Sequence, residues 1–369
     1  MPDQSSASSP APLCGSVLVL IQFDVCEELR LDQLQQAINA RTMQQPSMKH
    51  TAPSYVRYHR PPVMGPLEPL VLESGERLEG EVKYYDYGVA SVTYTLPFAG
   101  DWQSLVNLAS RWVWDVDFAS RVEPIVRQRL ERVSKAMVKP YQKWLSEDYF
   151  IFHVREAEGT PNAAELTRTH GLEIAQVVRG DKLLLSDGEI REVLQSQVSY
   201  YAGDVAIIGW NAAFVYDSAA GADTSIQLLE YANSQLLEFR HYDELLTGIL
   251  DDVYDQLGQK TGFFARWGLV NSARSLHTVL LDVAELTERA DNAIKFLSDM
   301  FAARLYRLAA GKVGVPDYKD LVAQKLKTAE DLYHDMLEQF NQSRAFFLEA
   351  TVVLILLIEL VFLFKGNPF

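Results

Sequence analysis

Four cations recur at helical spacing in an otherwise acidic chain: Arg132, Lys135, Lys139 and Lys143, at steps of 3, 4 and 4. On a helix these steps fall on one face. The stretch Arg121 to Lys143 holds seven basic residues against two acidic ones. Such a stripe can bind RNA phosphates, anionic headgroups or an acidic protein surface. Its plainer role is to pair with the chain's own acids, among them Asp251, Asp252 and Asp255. With Glu230 or Glu244, those aspartates supply the oxygen donors that a divalent cation takes. Read as a solvated helix face, they need no ion.

A third group lies near the C-terminus, where Glu349 and Glu359 interrupt an apolar run that follows Arg344. Ten residues separate the two glutamates, which sets them about 80° apart around a helix. An acid in such a run costs about 2.5 to 3.5 kcal/mol at the centre of a bilayer. It should therefore face a neighbouring helix or water, and Glu349, Glu359 and Arg344 are the expected contacts in an oligomer.

Other chemistries lack their residues. Gly311, Lys312 and Gly314 do not have the spacing of a phosphate-binding loop, and no Gly-x-Ser-x-Gly elbow occurs. The seven histidines, at positions 50, 59, 153, 170, 241, 277 and 334, form no His-x3-His pair. Cys14 and Cys26 have no metal spacing and read as small buried residues rather than a disulfide. Trp102, Trp112, Trp114 and Phe118 form an aromatic concentration better suited to a core than to a binding face. No catalytic residue, cofactor, metal ligand or small-molecule substrate is assigned.

The elements that must position these groups divide into two regions. Of 369 residues, 48% are hydrophobic, enough to fill a sizeable core, and the net charge of -15 repels phosphate backbones except at a local basic patch. Residues 1 to 15 read as disordered and carry neither a basic signal start nor an arginine-rich presequence. Residues 16 to 220 read as an α+β or α/β body. Val17 to Phe23 is a strand, Leu31 to Ile38 a helix, and residues 43 to 77 a proline-rich loop with an edge strand near Val71. Val82 to Thr95 forms two strands, or one strand bent at Gly88, and Trp102 to about Trp144 is helical. Residues 221 to 345 carry apolar seams at steps of 3 and 4, which predict a long antiparallel three-helix coiled-coil stalk.

Residues 346 to 364 are the expected single transmembrane helix, followed by a short tail, 365 to 369. With 19 residues the run barely reaches the roughly 20 that span a hydrocarbon core. Lys325, Lys327 and Arg344 precede it and place the body on the cytoplasmic or matrix-like side.

Two stretches resemble the proteins called required for meiotic nuclear division 1, also catalogued as a domain of unknown function. The first is Tyr85-Asp86-Tyr87-Gly88-Val89-Ala90-Ser91-Val92. The second is Arg344, Leu348-Glu349 and Ile358-Glu359. Tyr231-Ala232-Asn233 and Leu236-Leu237-Glu238 suit the helical region before them. The resemblance implies a membrane-associated oligomer without catalytic residues. A looser likeness, of architecture only, is to CorA-type magnesium channels, whose Gly-Met-Asn loop is missing here.

Together these features predict a non-enzymatic, self-associating scaffold anchored in a membrane, which touches lipid and recruits a protein or RNA. The alternative is a CorA-like oligomeric cation channel with the C-terminal helix lining its pore.

Overall fold

The computed structural model describes residues 13–38, 41–42, 61–159, 161–258, 278–279, 281, 283 and 300–364. The expected disorder of the N-terminus falls almost wholly outside them. The chain divides into two units: residues 1–241 with 289–318, and residues 242–288 with 319–369.

The first unit is built on β1 (Leu13–Leu29), whose alternation decides the layers. Val17, Val19, Ile21 and Phe23 enter one large core, while Gln22 and Asp24 are equally buried on the opposite face. Successive side chains of a strand point to opposite faces, so β1 is covered on both. Around it lie β2 (Arg41–Thr42), β3 (Val63–Val71), β4 (Arg77–Tyr84), β5 (Val89–Gly100) and β6 (Met137–Glu156). The short β7 (Gln197–Val198) with β8 (Val205–Ile208) and β9 (Ala212–Tyr216) completes nine strands in the order β2-β3-β4-β5-β1-β6-β9-β8-β7. The β6 to β9 pairing is parallel and the others are antiparallel.

The large core is closed by α2 (Trp102–Trp114), α3 (Phe118–Glu131) and α5 (Gly171–Arg179), with α6 (Asp187–Gln195) beside α5. The short α1 (Leu31–Ile38) and α4 (Ala163–Thr169) complete the helices of this part. Local chemistry explains the helix starts. Asp101 accepts the Ser104 amide at 2.8 Å, and Asp117 accepts the Ser120 amide at 2.9 Å. Each satisfies an orphan donor of the first turn.

The opposite sheet face receives the first part of α7 (Ala219–Gly258). Helix α8 (Met300–Val313) packs on β7 and β8. The expected stalk is therefore corrected: α8 and the Ala219 to His241 part of α7 belong to the body. A helix laid on a sheet needs the same apolar steps of 3 and 4 as a coiled-coil seam, so periodicity cannot separate the two. Most of the expected middle stalk helix lies outside the described residues.

The second unit holds the remainder of α7 and most of α9 (Val315–Phe364). Lys325 ties the two helices, donating to the Asp243 carboxylate at 2.5 Å and to the Thr247 hydroxyl at 2.6 Å. Among the described residues no helix is long and apolar enough to cross a membrane. That finding overturns the single transmembrane helix at 346–364, the single-pass membrane character and the placement of the body relative to a membrane. The physical reason lies in Glu349 and Glu359. The unbroken apolar run between them, Val352 to Ile358, rises only about 10 Å, a third of a ~30 Å hydrocarbon core.

Candidate functional site

Sheet register assembles one polar row beneath α7. Lys83 on β4 stands opposite Ser91 on β5, Ser91 opposite Gln22 on β1, and Gln22 opposite Glu147 on β6. Glu230 of α7 sits over the row and is 1% exposed. Its carboxylate accepts from the Lys83 ammonium at 2.6 Å and from the Ser91 hydroxyl at 2.7 Å. Its backbone carbonyl accepts from the Gln22 amide at 2.8 Å. At the end of the row Glu147 pairs with Arg240. Burial raises the nearby Glu81 carboxyl above the usual carboxylate range, against the pull of Lys83.

One step further along β1, Asp24 is 2% exposed and meets His241 Nδ1 at 2.7 Å. Burial raises the Asp24 carboxyl, and the hydrogen bond and charge of His241 oppose that rise. The ring of His241 stacks on Tyr141, with centroids 4.6 Å apart. Tyr141 belongs to a bulge: β1 and β6 pair at Asp24 with Leu145, then resume at Cys26 with Pro140. The bulge is pinned on both faces. Trp144 lies against Phe23 at 5.9 Å in the large core and carries the Arg127 guanidinium 3.9 Å over its ring.

An Asp-His pair can orient a general base, but only with a nucleophile to act on. The neighbouring thiol is unsuited to that part. Cys26 donates to the Glu28 carbonyl, and burial followed by the Asp24 charge pushes its pKa up to about 12. It stays protonated at neutral pH. The polar row thus joins Lys83, Ser91 and the Gln22 amide N–H to Glu230 between sheet and helix, leaves the Gln22 amide oxygen buried without a hydrogen-bond partner among the described residues, and sets the register of α7 on the sheet.

An open cavity of about 150 Å³ lies elsewhere on the same unit, at the end of α5. Val178, Val193, Ile208 and Trp210 line it together with the polar Arg179, Glu192, Ser196 and Lys312. Arg179 is paired with Glu189 at 2.5 Å, and Lys312 with Glu192 at 2.9 Å. The Lys312 partnership lowers the Glu192 carboxyl. Beyond α5, the buried Gln176 amide donates to the carbonyls of Lys182 and Leu183 at 3.2 and 2.9 Å. The Leu183 amide donates to Asp181 at 2.9 Å. This pinned loop turns Leu183 and Leu184 outward, 69% and 82% exposed, and Trp210 is 68% exposed.

The residues singled out by spacing are not brought together. Arg132 closes α3, Lys135 lies in a 3-10 turn over Ser134–Ala136, and Lys139 and Lys143 lie on β6. The four cations therefore share no helix face. Lys139 pairs with Glu27, and Glu28 stands opposite Val138, so acids interleave with the cations. Helical spacing of charges misled because Val138, Tyr141 and Trp144 also fall three apart while the segment forms a bulged strand.

Glu230 is committed to Lys83 in the first unit and does not join Asp251, Asp252, Asp255 and Glu244, which are exposed on the second. Among the described residues no group of three or more His, Cys, Asp or Glu could hold a metal ion. Trp112 and Phe118 are buried and pack edge to face at 5.3 Å, whereas Trp114 is 65% exposed. Glu349 and Glu359 lie on α9, and the side chain of Arg344 lies outside the described residues. Spacing missed the Glu230 network and the Asp24 pair. Their signal was Gln22 and Asp24, polar residues at the end of an apolar strand.

Comparison with known proteins supports a different relationship from the one the two quoted stretches implied. The chain is 21% identical over 172 residues to a protein of Methanocaldococcus jannaschii described as "Uncharacterized protein MJ0711". The match covers 47% of this chain and 52% of the relative, so the chain matches about half the length of that relative. No solved structure matches. No link to the required for meiotic nuclear division 1 proteins or to CorA-type channels is shown, and both likenesses are withdrawn. The Tyr-Gly stretch misled because the turn itself demands it. Gly88 has φ +92°, and a side chain there would collide with the Cys26 carbonyl, so glycine reports a tight hairpin rather than ancestry. The family described as "Uncharacterized protein MJ0711, N-terminal domain" matches residues 14–223, from β1 into the start of α7 and more than half of the chain, and this chain belongs to that family.

Proposed function

We propose that the chain is a non-enzymatic, self-associating scaffold, whose copies assemble through the far part of α9 and so present the α/β body repeatedly to a protein partner. The observation that carries this reading is the exposure of α9. Ten large apolar side chains, Leu348, Val352 to Ile358, Leu360 and Val361, are each 47 to 62% exposed. At roughly 80 to 100 Å² apiece they present about 900 Å², above the ~300 to 600 Å² of a typical monomer's largest patch and near the ~800 Å² per partner of a standard interface.

Seven consecutive apolar positions, Val352 to Ile358, point to every side of the helix. Leaving them in water forfeits about 25 cal/mol per Å² of apolar surface, a strong drive to association. The polar groups of the body support the non-enzymatic part of the reading, because the buried row under α7 is spent on internal partners. Light scattering on the full chain tests the proposal. A multiple of the monomer mass is expected, falling to the monomer in the variant Leu354→Ser, Leu357→Ser, Val361→Ser. A full chain that is monomeric at micromolar concentration overturns it.

A further inference from the structure

We infer that the far part of α9 packs in a bundle of three or more copies, with Glu349 and Glu359 inside the contacts, so that assembly tightens as pH falls. The inference rests on the self-association proposed above and adds its geometry and its regulation. The first argument is coverage. Val352 to Ile358 are each 47 to 57% exposed and point to every side of the helix. One neighbour covers one face of a helix, so a pair of copies leaves much of this run in water. A helix that is apolar all round needs neighbours on more than one side.

The second argument is where the acids stand. At about 100° per residue, Glu349 and Glu359 lie roughly 80° apart and mark one half of the helix surface. Leu348, Val352, Val353, Ile355, Leu356 and Leu360 fall on that half, against Leu354, Leu357, Ile358 and Val361 on the other. Contacts confined to the acid-free half therefore leave six of the ten exposed apolar side chains uncovered. Contacts that cover them take the two acids in.

The third argument is register. Apolar contact is greatest when the runs of neighbouring copies lie side by side, and the acids stand five residues before and five after Leu354. Parallel copies then set Glu349 beside Glu349 and Glu359 beside Glu359, and antiparallel copies set Glu349 beside Glu359. Carboxylates meet in either orientation. The nearest cations in the sequence, Arg344 and Lys365, are five and six residues outside the acids, not at the three or four of a helical ion pair. Among the described residues neither acid has an ion-pair or hydrogen-bond partner, and both are exposed. Burial and a neighbouring like charge both favour the neutral carboxyl. The assembled state thus binds more protons than the separate chains, and by linkage association strengthens as pH falls.

Light scattering on the full chain over a concentration series decides the matter, from about pH 8 down to about pH 6 and so above the isoelectric point of about 5.0. The parent should form particles of three or more copies, with association weakening about tenfold or more toward the alkaline end. Glu349→Gln with Glu359→Gln keeps the shape and removes the charge. That variant should associate at the alkaline end as tightly as the parent does at the acid end, and should lose most of the pH response. Histidines, His334 of α9 among them, titrate in this range but are common to both chains, so the difference between the two is the readout. Glu330→Gln with Glu338→Gln makes the same charge change on exposed residues of α9 outside the run, and should behave as the parent. Four results each overturn the inference and leave self-association standing: a parent indifferent to pH, a response kept in full without Glu349 and Glu359, equal tightening in the Glu330 and Glu338 control, or a saturated mass of two copies. Chains that stay monomeric throughout, parent and variants alike, overturn both proposals.

Discussion

Lys83 on β4 and Glu230 on α7, 147 residues apart in the chain, meet at 2.6 Å with their side chains 10% and 1% exposed. The sheet therefore presents a buried cation at one place, and only the helix register that delivers Glu230 satisfies it. Removing one partner leaves a buried charge alone, which costs about 3 to 5 kcal/mol, whereas replacing both by apolar groups is often near neutral. Lys83→Met should lower unfolding free energy in urea by that amount, and Lys83→Met with Glu230→Met should recover most of it. Equal losses in the single and double variants would show that the pair does not set the register.

His153 predicts a pH dependence. Its Nε2 donates to the Asp217 carbonyl at 2.9 Å, and burial lowers its pKa below the ordinary 6.5, so the fold favours the neutral ring. The stabilisation is complete above the unfolded value and is lost as pH falls through the folded one. Thermal melts across this range should show the native chain losing stability with acid faster than His153→Gln, which keeps an N–H donor but does not titrate. Parallel curves would count against a buried neutral His153.

Two glycines separate backbone strain from collision. Gly75 has φ +88° with open space around it, and Gly88 has φ +92° with the Cys26 carbonyl where a side chain would go. Gly75→Ala should cost about 1 to 3 kcal/mol, the strain of a residue held at positive φ. Gly88→Ala should cost more, because the hairpin from Tyr85 to Val89 must move off β1. Calorimetric midpoints compare the two, and equal shifts would remove the collision from the account.

Cys26 should resist thiol reagents. It is fully buried and its pKa of about 12 leaves almost no thiolate at mildly alkaline pH. Mass spectrometry after alkylation of the native chain should find Cys26 unmodified, and denaturant should expose it. Rapid native labelling at Cys26 would mean that the β1 to β6 bulge opens readily.

Much of the architecture was open to reading residue by residue. The run Val17 to Phe23 reads as a strand, Leu31, Leu34 and Ile38 as a helix, and Val82 to Thr95 as strand interrupted or bent at Gly88, because these signals are local in the backbone. Reading failed where one pattern serves two structures. The apolar steps of α7 fit a sheet-packed helix as well as a stalk, and the spacing from Arg132 to Lys143 fits a bulged strand as well as a helix. At the C-terminus, hydrophobicity counted over 346–364 outweighed the two glutamates that break the run.

By itself the sequence determined the mixed α/β character of the body, the acidic balance and the apolar run of α9, since composition and short-range periodicity carry those. Tertiary structure alone decided the partners. Lys83, Ser91 and Gln22 become one row through strand register, and Glu230 reaches them across 139 to 208 residues of chain. His241 finds Asp24, and Gln176 pins the loop of Leu183 and Leu184, by the same means. Such pairings depend on the closure of the whole sheet and on which helix covers which face, and no window of neighbouring residues contains that information.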